Sequence, residues 1–195
     1  MVYPTRISLL QHLTDVNKKE SNMIRKAEEK DISLIAELYD TVIDYQNANG
    51  SYMSWKKGIY PTLETAELGF SLGTLYVHDN GTQIGGSVIL DCNQSEEYYS
   101  IDWKTKNDPR NALVIHTLCV APEHMGMGIA TEMLTFAKEL AASLNCASIR
   151  LATNSKNLGA ISLYEKNGFS IVAYGRVLLD SKIECPKQCF MEYVI

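Results

Sequence analysis

At 195 residues, with 46% hydrophobic and 21% charged side chains, the chain has the composition of an ordinary globular protein and a length that suits one domain with an appendage. A formal net charge of -5 argues against nonspecific binding to nucleic acid, whose affinity comes from clustered Lys and Arg. No run of about 20 apolar residues could span a membrane, and the opening "MVYPTRISLLQHLTDVNKKE" lacks the apolar centre of a signal peptide, so a cytoplasmic protein without a membrane partner is expected.

Residues 1–22 carry a short stripe at helical spacing, Ile7, Leu10, Leu13 and Val16, and then a polar stretch; this reads as a helical extension and linker before one domain over residues 23–195. "NMIRKA" is a strand candidate. Asp31 is placed to cap a helix that carries Ile32, Ile35, Leu38, Tyr39, Val42 and Ile43 and ends near "NANG". "SYMSWKKGIYP" has no clear period and reads as a loop, followed by a second helix over Thr62–Leu72. From Gly73 the period changes. "TLYVHDNGTQIGGSVILDC" reads as two strands turning at Asp79-Asn80-Gly81, a strong hairpin signal.

Glu96–Pro109 is polar and aromatic and reads as a loop with a short strand; "NALVIHTLCV" after it is apolar enough for a buried central strand. Beyond "APEHMGMG", Ile129, Met133, Ala137, Leu140, Ala141 and Leu144 form one face of a third helix, and "ASIRLA" is the next strand. A fourth helix over Asn157–Lys166 ends at Asn167-Gly168, and "FSIVAY" and "QCFMEYVI" are the last two strands. The alternation gives an α/β class with a mixed sheet. Five scattered cysteines without a C-x-x-C pair point to reduced thiols and to no metal site, and the three N-x-S/T triplets at Asn49, Asn80 and Asn93 are read as coincidence.

Gly126 and Gly128 stand where the apolar strand gives way to a helix. Two readings are open. Glycine there can satisfy unusual dihedrals, or it can let backbone N–H groups and the positive end of a helix approach a phosphate. The stretch is neither a Walker A loop, since no Lys-Ser/Thr pair follows, nor G-x-G-x-x-G, since Thr131 stands at the third glycine.

One strand later comes N-x-x-A-x-x-x-Y-E-K-x-G-F, Asn157 to Phe169. Together with "HTLCVAPEHMGMGIA" this resembles the GNAT superfamily of acyl-CoA N-acyltransferases, over about Met23 to Ile195. The resemblance implies a mixed, mostly antiparallel sheet of about six or seven strands flanked by helices, with a splayed central pair forming a cleft for coenzyme A. It also implies acetyl-CoA as co-substrate, no metal, a primary amine of a small molecule or peptide as acceptor, and direct attack in a ternary complex by a monomer or homodimer. Leu118, Cys119 and Val120 would offer backbone to the pantetheine arm, while Met125, Gly126, Met127, Gly128, Ile129 and Ala130 would wrap the diphosphate. Asn157 would bond the pantetheine region. Tyr164, seven residues and about two turns further on, would act as general acid to the departing thiolate. The family's R/Q-x-x-G-x-G/A signature is departed from here, because Glu123 or Met125 stands at its first position depending on the register.

Amine acetylation needs a neutral amine, and deprotonating a lysine-like ammonium costs roughly 4–5 kcal/mol at pH 7. His116, the titratable side chain inside the central strand, is the candidate base; a buried neutral histidine bonded to a neighbouring strand is the competing reading. Glu97, Asp102 and Glu123 are reserve candidates. Backbone N–H groups near Leu118–Val120 would stabilise the oxyanion. Cys119 points opposite Leu118 and Val120 by strand alternation and reads as core. Trp55 and Tyr60 fall where the resemblance places the family's acceptor-binding loop and are candidates for walling the amine pocket, and "SEEYYSIDW" would close it with carboxylates that favour a cation. The alternative to an enzyme is a catalytically inactive acyl-CoA-binding sensor or interaction module.

Overall fold

The computed structural model describes residues 24–50, 54–106, 108–179 and 183–195. The helix expected over Ile7–Val16 and the linker after it lie outside the described residues. In chain order come β1 (Ile24–Lys26), α1 (Ile32–Ala48), α2 (Leu63–Ser71), β2 (Leu75–Asp79), β3 (Ile84–Asp91), β4 (Ala112–Val120), α3 (Ile129–Ser143), β5 (Ser148–Asn154), α4 (Leu158–Lys166), β6 (Ser170–Leu179) and β7 (Ile183–Val194). The expected alternation of strands and helices is therefore observed. The strands form one mixed sheet in the order β1-β2-β3-β4-β5-β7-β6, antiparallel throughout except for the parallel pair β4 and β5.

The helical stripes explain the layers. Met133, Ala137 and Ala141 of α3 and Ile161 of α4 pack on Leu113, Ile115, Ile149 and Met191 on one face. Ile35, Leu38, Tyr39 and Val42 of α1 cover Val77, Ile89 and Cys119 on the other. Asp31 is the residue preceding α1, as expected, but its carboxylate does not cap that helix. It pairs with Arg25 at 2.6 Å and accepts the Glu28 N–H at 2.8 Å, because a guanidinium one strand away outcompetes the helix's own amides.

Among the described residues the polar segment after β3 holds no strand; it forms a 3-10 turn over Glu96–Ser100. Its aromatics fix it instead: Tyr98 and Trp103 stack around Phe190 of β7. Beneath Trp103 lies a buried ion pair. Arg150 of β5 donates to Glu192 of β7 at 3.2 Å, with both residues at most 2% exposed, and its guanidinium lies 4.5 Å from the Trp103 ring centre. Burial pushes the Glu192 carboxyl up, but donors from Thr105, Ser148, Arg150 and the Thr105 backbone outweigh that and hold it below its ordinary value. Arg150 is shifted the other way in charge preference, downward by burial, yet a guanidinium has far to fall before it loses its proton. The pair is charged at neutral pH.

β4 is irregular where it matters. Ser87 of β3 faces Cys119 and Ile89 faces His116, so Thr117 and Leu118 together oppose Val88. This bulge puts Thr117 at φ 46, an unusual backbone for a β-branched residue, and shifts the alternation by one. Leu113 and Ile115 before it therefore share a face with Leu118 and Val120 after it. The close strand approach also explains Gly86: a Cβ there would lie 2.7 Å from the Cys119 carbonyl oxygen. Gly86→Ala should cost about 1–3 kcal/mol, the usual penalty of overpacking, and is checked by a lower melting temperature at unchanged pH.

Candidate active site

β4 and β5 pair over only three positions, Ala112–Val114 against Ser148–Arg150, and then separate. The edge of β4 that faces β5 is unpaired from Ile115 onward. A cleft of about 760 Å³ opens there, walled by β4 from Ile115 to Leu118, by β5 from Ala152 to Asn154, by α4, and by the segment Ser54–Tyr60. That segment is tied across the gap, since the Ser54 hydroxyl accepts from Asn154 Nδ2 at 3.4 Å and from Gln188 Nε2 at 3.2 Å.

Tyr164, Asn157, His116, Leu118, Trp55 and Tyr60 all line this one cleft, although they come from three separate stretches of sequence. The α4 helix places Asn157 and Tyr164 two turns apart on the same side. Asn157 spends its carboxamide oxygen capping α4, accepting the Ala160 N–H at 3.2 Å, which leaves its Nδ2 as the group available to a ligand. Tyr164 packs against Phe169 and is 8% exposed; burial alone pushes its phenol above the usual tyrosine value, so it carries its proton at neutral pH. Trp55 lines the cleft and is also pinned to the core by edge contact with Tyr39, 6.3 Å between ring centres.

His116 sits on the cleft wall with its side chain 30% exposed, and its Nε2 lies 3.1 Å from Asp91 Oδ1. Burial pushes the Asp91 carboxyl up, but the His116 hydrogen bond and charge and two Asn93 donors outweigh it and hold the group below its ordinary value. Cys119 is a core thiol: it lies on the face opposite Leu118 and Val120, is hydrogen bonded to Ser87 at 3.3 Å, and is pushed up to about 11 by burial.

The glycine turn lies further along, outside the residues that line the cleft, as do Cys119 and Val120. Gly126 and Gly128 both have φ in the left-handed region, at 82° and 92°, so backbone conformation by itself accounts for glycine at each. The space in front of both is also open, since an added Cβ would meet nothing within 4 Å. Gly128 precedes α3 with no side-chain cap, so the first-turn N–H groups of that helix remain donors. Met125 and Met127 are exposed and Ala130 is partly so, whereas the Ile129 side chain is buried in the core and can offer a ligand only its backbone.

The reserve bases are placed elsewhere. Glu97 accepts the Leu178 N–H at the surface, Asp102 is solvent-exposed beside Lys106, and Glu123 faces a separate cavity of about 360 Å³ shared with Glu37 of α1. Ser95 and Tyr98 do close the cleft from the expected side, but without carboxylates. Among the described residues the fully charged side chains lining it are Glu64 and Asp91. Neither was singled out by the sequence, nor were Asn154 and Gln188.

The mixed sheet opens between two parallel strands, with a helix N-terminus after one and a tyrosine-bearing helix after the other, which defines an α/β fold with a cleft at the parting of its central strands. The model of the acetyltransferase (GNAT) family matches residues 35–169, and the chain belongs to that family. A GNAT-family acetyltransferase from Streptococcus agalactiae superposes with a TM-score of 0.70 at 21% identity, covering 88% of this chain and 94% of the other. YncA from Salmonella typhimurium, solved with its cofactor acetyl-CoA, superposes with a TM-score of 0.61 at 20% identity, covering 88% and 92%. Streptothricin acetyltransferase from Escherichia coli is 39% identical over 57 residues, 29% of this chain. That match spans 33% of the curated relative's own length. No helix among the described residues is long and apolar enough to cross a membrane.

Proposed function

We propose that the chain is an N-acetyltransferase that moves the acetyl group of acetyl-CoA to a primary amine by direct attack in a ternary complex. The observation that carries this reading is the convergence of His116, Asn157 and Tyr164 on the cleft where β4 and β5 part. The residues present fit the co-substrate: an unpaired strand edge for its amide-bearing arm, the Asn157 Nδ2 beside it, and open backbone at Gly126 and Gly128 with the α3 N-terminus for its diphosphate. Binding at the turn then relies on backbone amides, with Glu123 lining the second cavity.

Bound there, acetyl-CoA supplies an acetyl group activated as a thioester. His116 takes the proton that the acceptor ammonium must lose. Tyr164 donates its phenolic proton toward the departing sulfur; a phenol raised by burial gives that proton up only as negative charge develops beside it, which ties the donation to bond cleavage. Of Leu118 to Val120, Leu118 is the residue that lines the cleft, and its backbone N–H is the donor for the developing charge on the acyl oxygen. With Glu64 and Asp91 in the lining, the acceptor is a cation in solution, and the E. coli relative named for streptothricin favours a small molecule over a protein.

The test combines an acetyl-CoA binding titration with thiol release on a panel of amines and mass detection of the acetylated product. Saturable binding and turnover on at least one amine is expected; binding without turnover on any of them would favour the sensor. In an active enzyme, kcat/KM should fall on the acid side as the base becomes protonated, and His116→Ala should flatten that limb. An unchanged limb would make His116 a wall residue only.

A further inference from the structure

We infer that Asp91 fixes the His116 imidazole in the tautomer with its proton on Nε2, so that Nδ1 is the nitrogen offered to the cleft. The tautomer follows from contacts alone; its use in taking the acceptor's proton rests on the acetyl-transfer reading.

A neutral imidazole has one donor and one acceptor nitrogen, and an ionised carboxylate can only accept. Asp91 is ionised: the hydrogen bonds it receives hold its carboxyl below the ordinary range although its side chain is 14% exposed. The 3.1 Å contact between His116 Nε2 and Asp91 Oδ1 therefore assigns the hydrogen to Nε2. Nδ1 has no hydrogen-bond partner among the described residues. Asp91 is itself held in place, since Oδ1 accepts the Asn93 backbone N–H at 2.8 Å and Oδ2 accepts from Asn93 Nδ2 at 3.1 Å. It cannot swing to follow a ligand.

The sheet makes the pair. Asp91 ends β3 directly opposite Val114, and Ile89 faces His116, so Asp91 and His116 are diagonal cross-strand neighbours on one face of the sheet, within side-chain reach. The bulge begins at Thr117, one residue after His116, so the register that aligns the pair is that of the regular part of β4. The division of labour is the one in which a buried acid orients a histidine whose other nitrogen does the proton transfer. Asp91 touches no reacting atom, so it is a positioning residue.

The decisive measurement is nitrogen NMR of the full chain labelled with ¹⁵N-histidine, with the His116 signals among the four histidines assigned from His116→Gln. At a pH where the ring is neutral, wild type should show Nε2 protonated and Nδ1 bare. Asp91→Ala should lose this single tautomer for a mixture, and Asp91→Glu should restore part of it. A wild-type ring protonated on Nδ1, or a spectrum identical in Asp91→Ala, overturns the inference, and the wild-type reading needs no assumption about how the variant folds. In the active enzyme, Asp91→Ala should lower kcat about 10–100-fold, the scale seen when a histidine loses its orienting partner, with the KM for acetyl-CoA nearly unchanged. The Nε2–H tautomer in a protein that acetylates no amine would sink the acetyl-transfer reading and leave the Asp91 assignment standing.

Discussion

Tyr164→Phe is expected to lower turnover by about 10²-fold or more while leaving acetyl-CoA affinity close to that of wild type. The substitution deletes one hydroxyl and keeps the ring that packs on Phe169, so the helix and its cap at Asn157 are preserved. In the proposed mechanism, what disappears is the proton delivered to the departing sulfur. Because the thiolate exists only after the bond has begun to break, the loss falls on kcat and not on the ground-state complex. Single-turnover measurements with saturating acetyl-CoA read it directly. Full activity in the variant would remove the phenol from the mechanism, and equal losses in binding and turnover would assign it to shaping the cleft.

Glu192→Leu is expected to be the most damaging single change to stability, at about 3–5 kcal/mol, the cost of leaving a buried charge without its partner. Arg150 is 2% exposed and would keep only the Gln94 side-chain oxygen and the Thr105 carbonyl and hydroxyl as acceptors. For a chain of this length the melting temperature should fall by on the order of 10 °C. Replacing both members, Arg150→Met with Glu192→Leu, should recover most of the loss, since it removes the stranded charge. The pH dependence has a definite sign. The folded-state carboxyl lies below its unfolded value, so its contribution is present above the unfolded value and is lost as the pH falls through the folded one. Wild type should therefore lose more stability on acidification than the double variant. The loss would reach the cleft as well, because the same network pins the segment that presents Ser95 and Tyr98 to it.

Local pattern carried the sequence a long way toward this fold. The apolar run of β4, the glycine turn and the stripe of α3 are each legible from neighbouring residues, as is the seven-residue spacing that sets Asn157 and Tyr164 on one side of α4. Asp91 was not legible. Its meaning depends on which β4 residue lies diagonal to it, and the long segment between β3 and β4 leaves that register unannounced by any local pattern. Glu64, Asn154 and Gln188 likewise reach the cleft by tertiary packing from three elements. The carboxylates of "SEEYYSIDW" misled for the complementary reason: the segment does border the cleft, but Tyr98 and Trp103 turn inward to Phe190 and leave the acids outside. Arg150 lies within "ASIRLA", read as a strand, and its burial beside Glu192 is set by a partner 42 residues further on.

The placement of β7 between β5 and β6 sets a timetable for assembly. β6 emerges first during synthesis but has no place in the sheet until β7 follows it, and β5 keeps an open edge over the same interval. The wall of the cleft that carries Ala152 to Asn154 is thus completed late. A ribosome that stalls between the two strands would present a sticky, half-built sheet edge to its neighbours, with the glycine turn already made and nothing across from it.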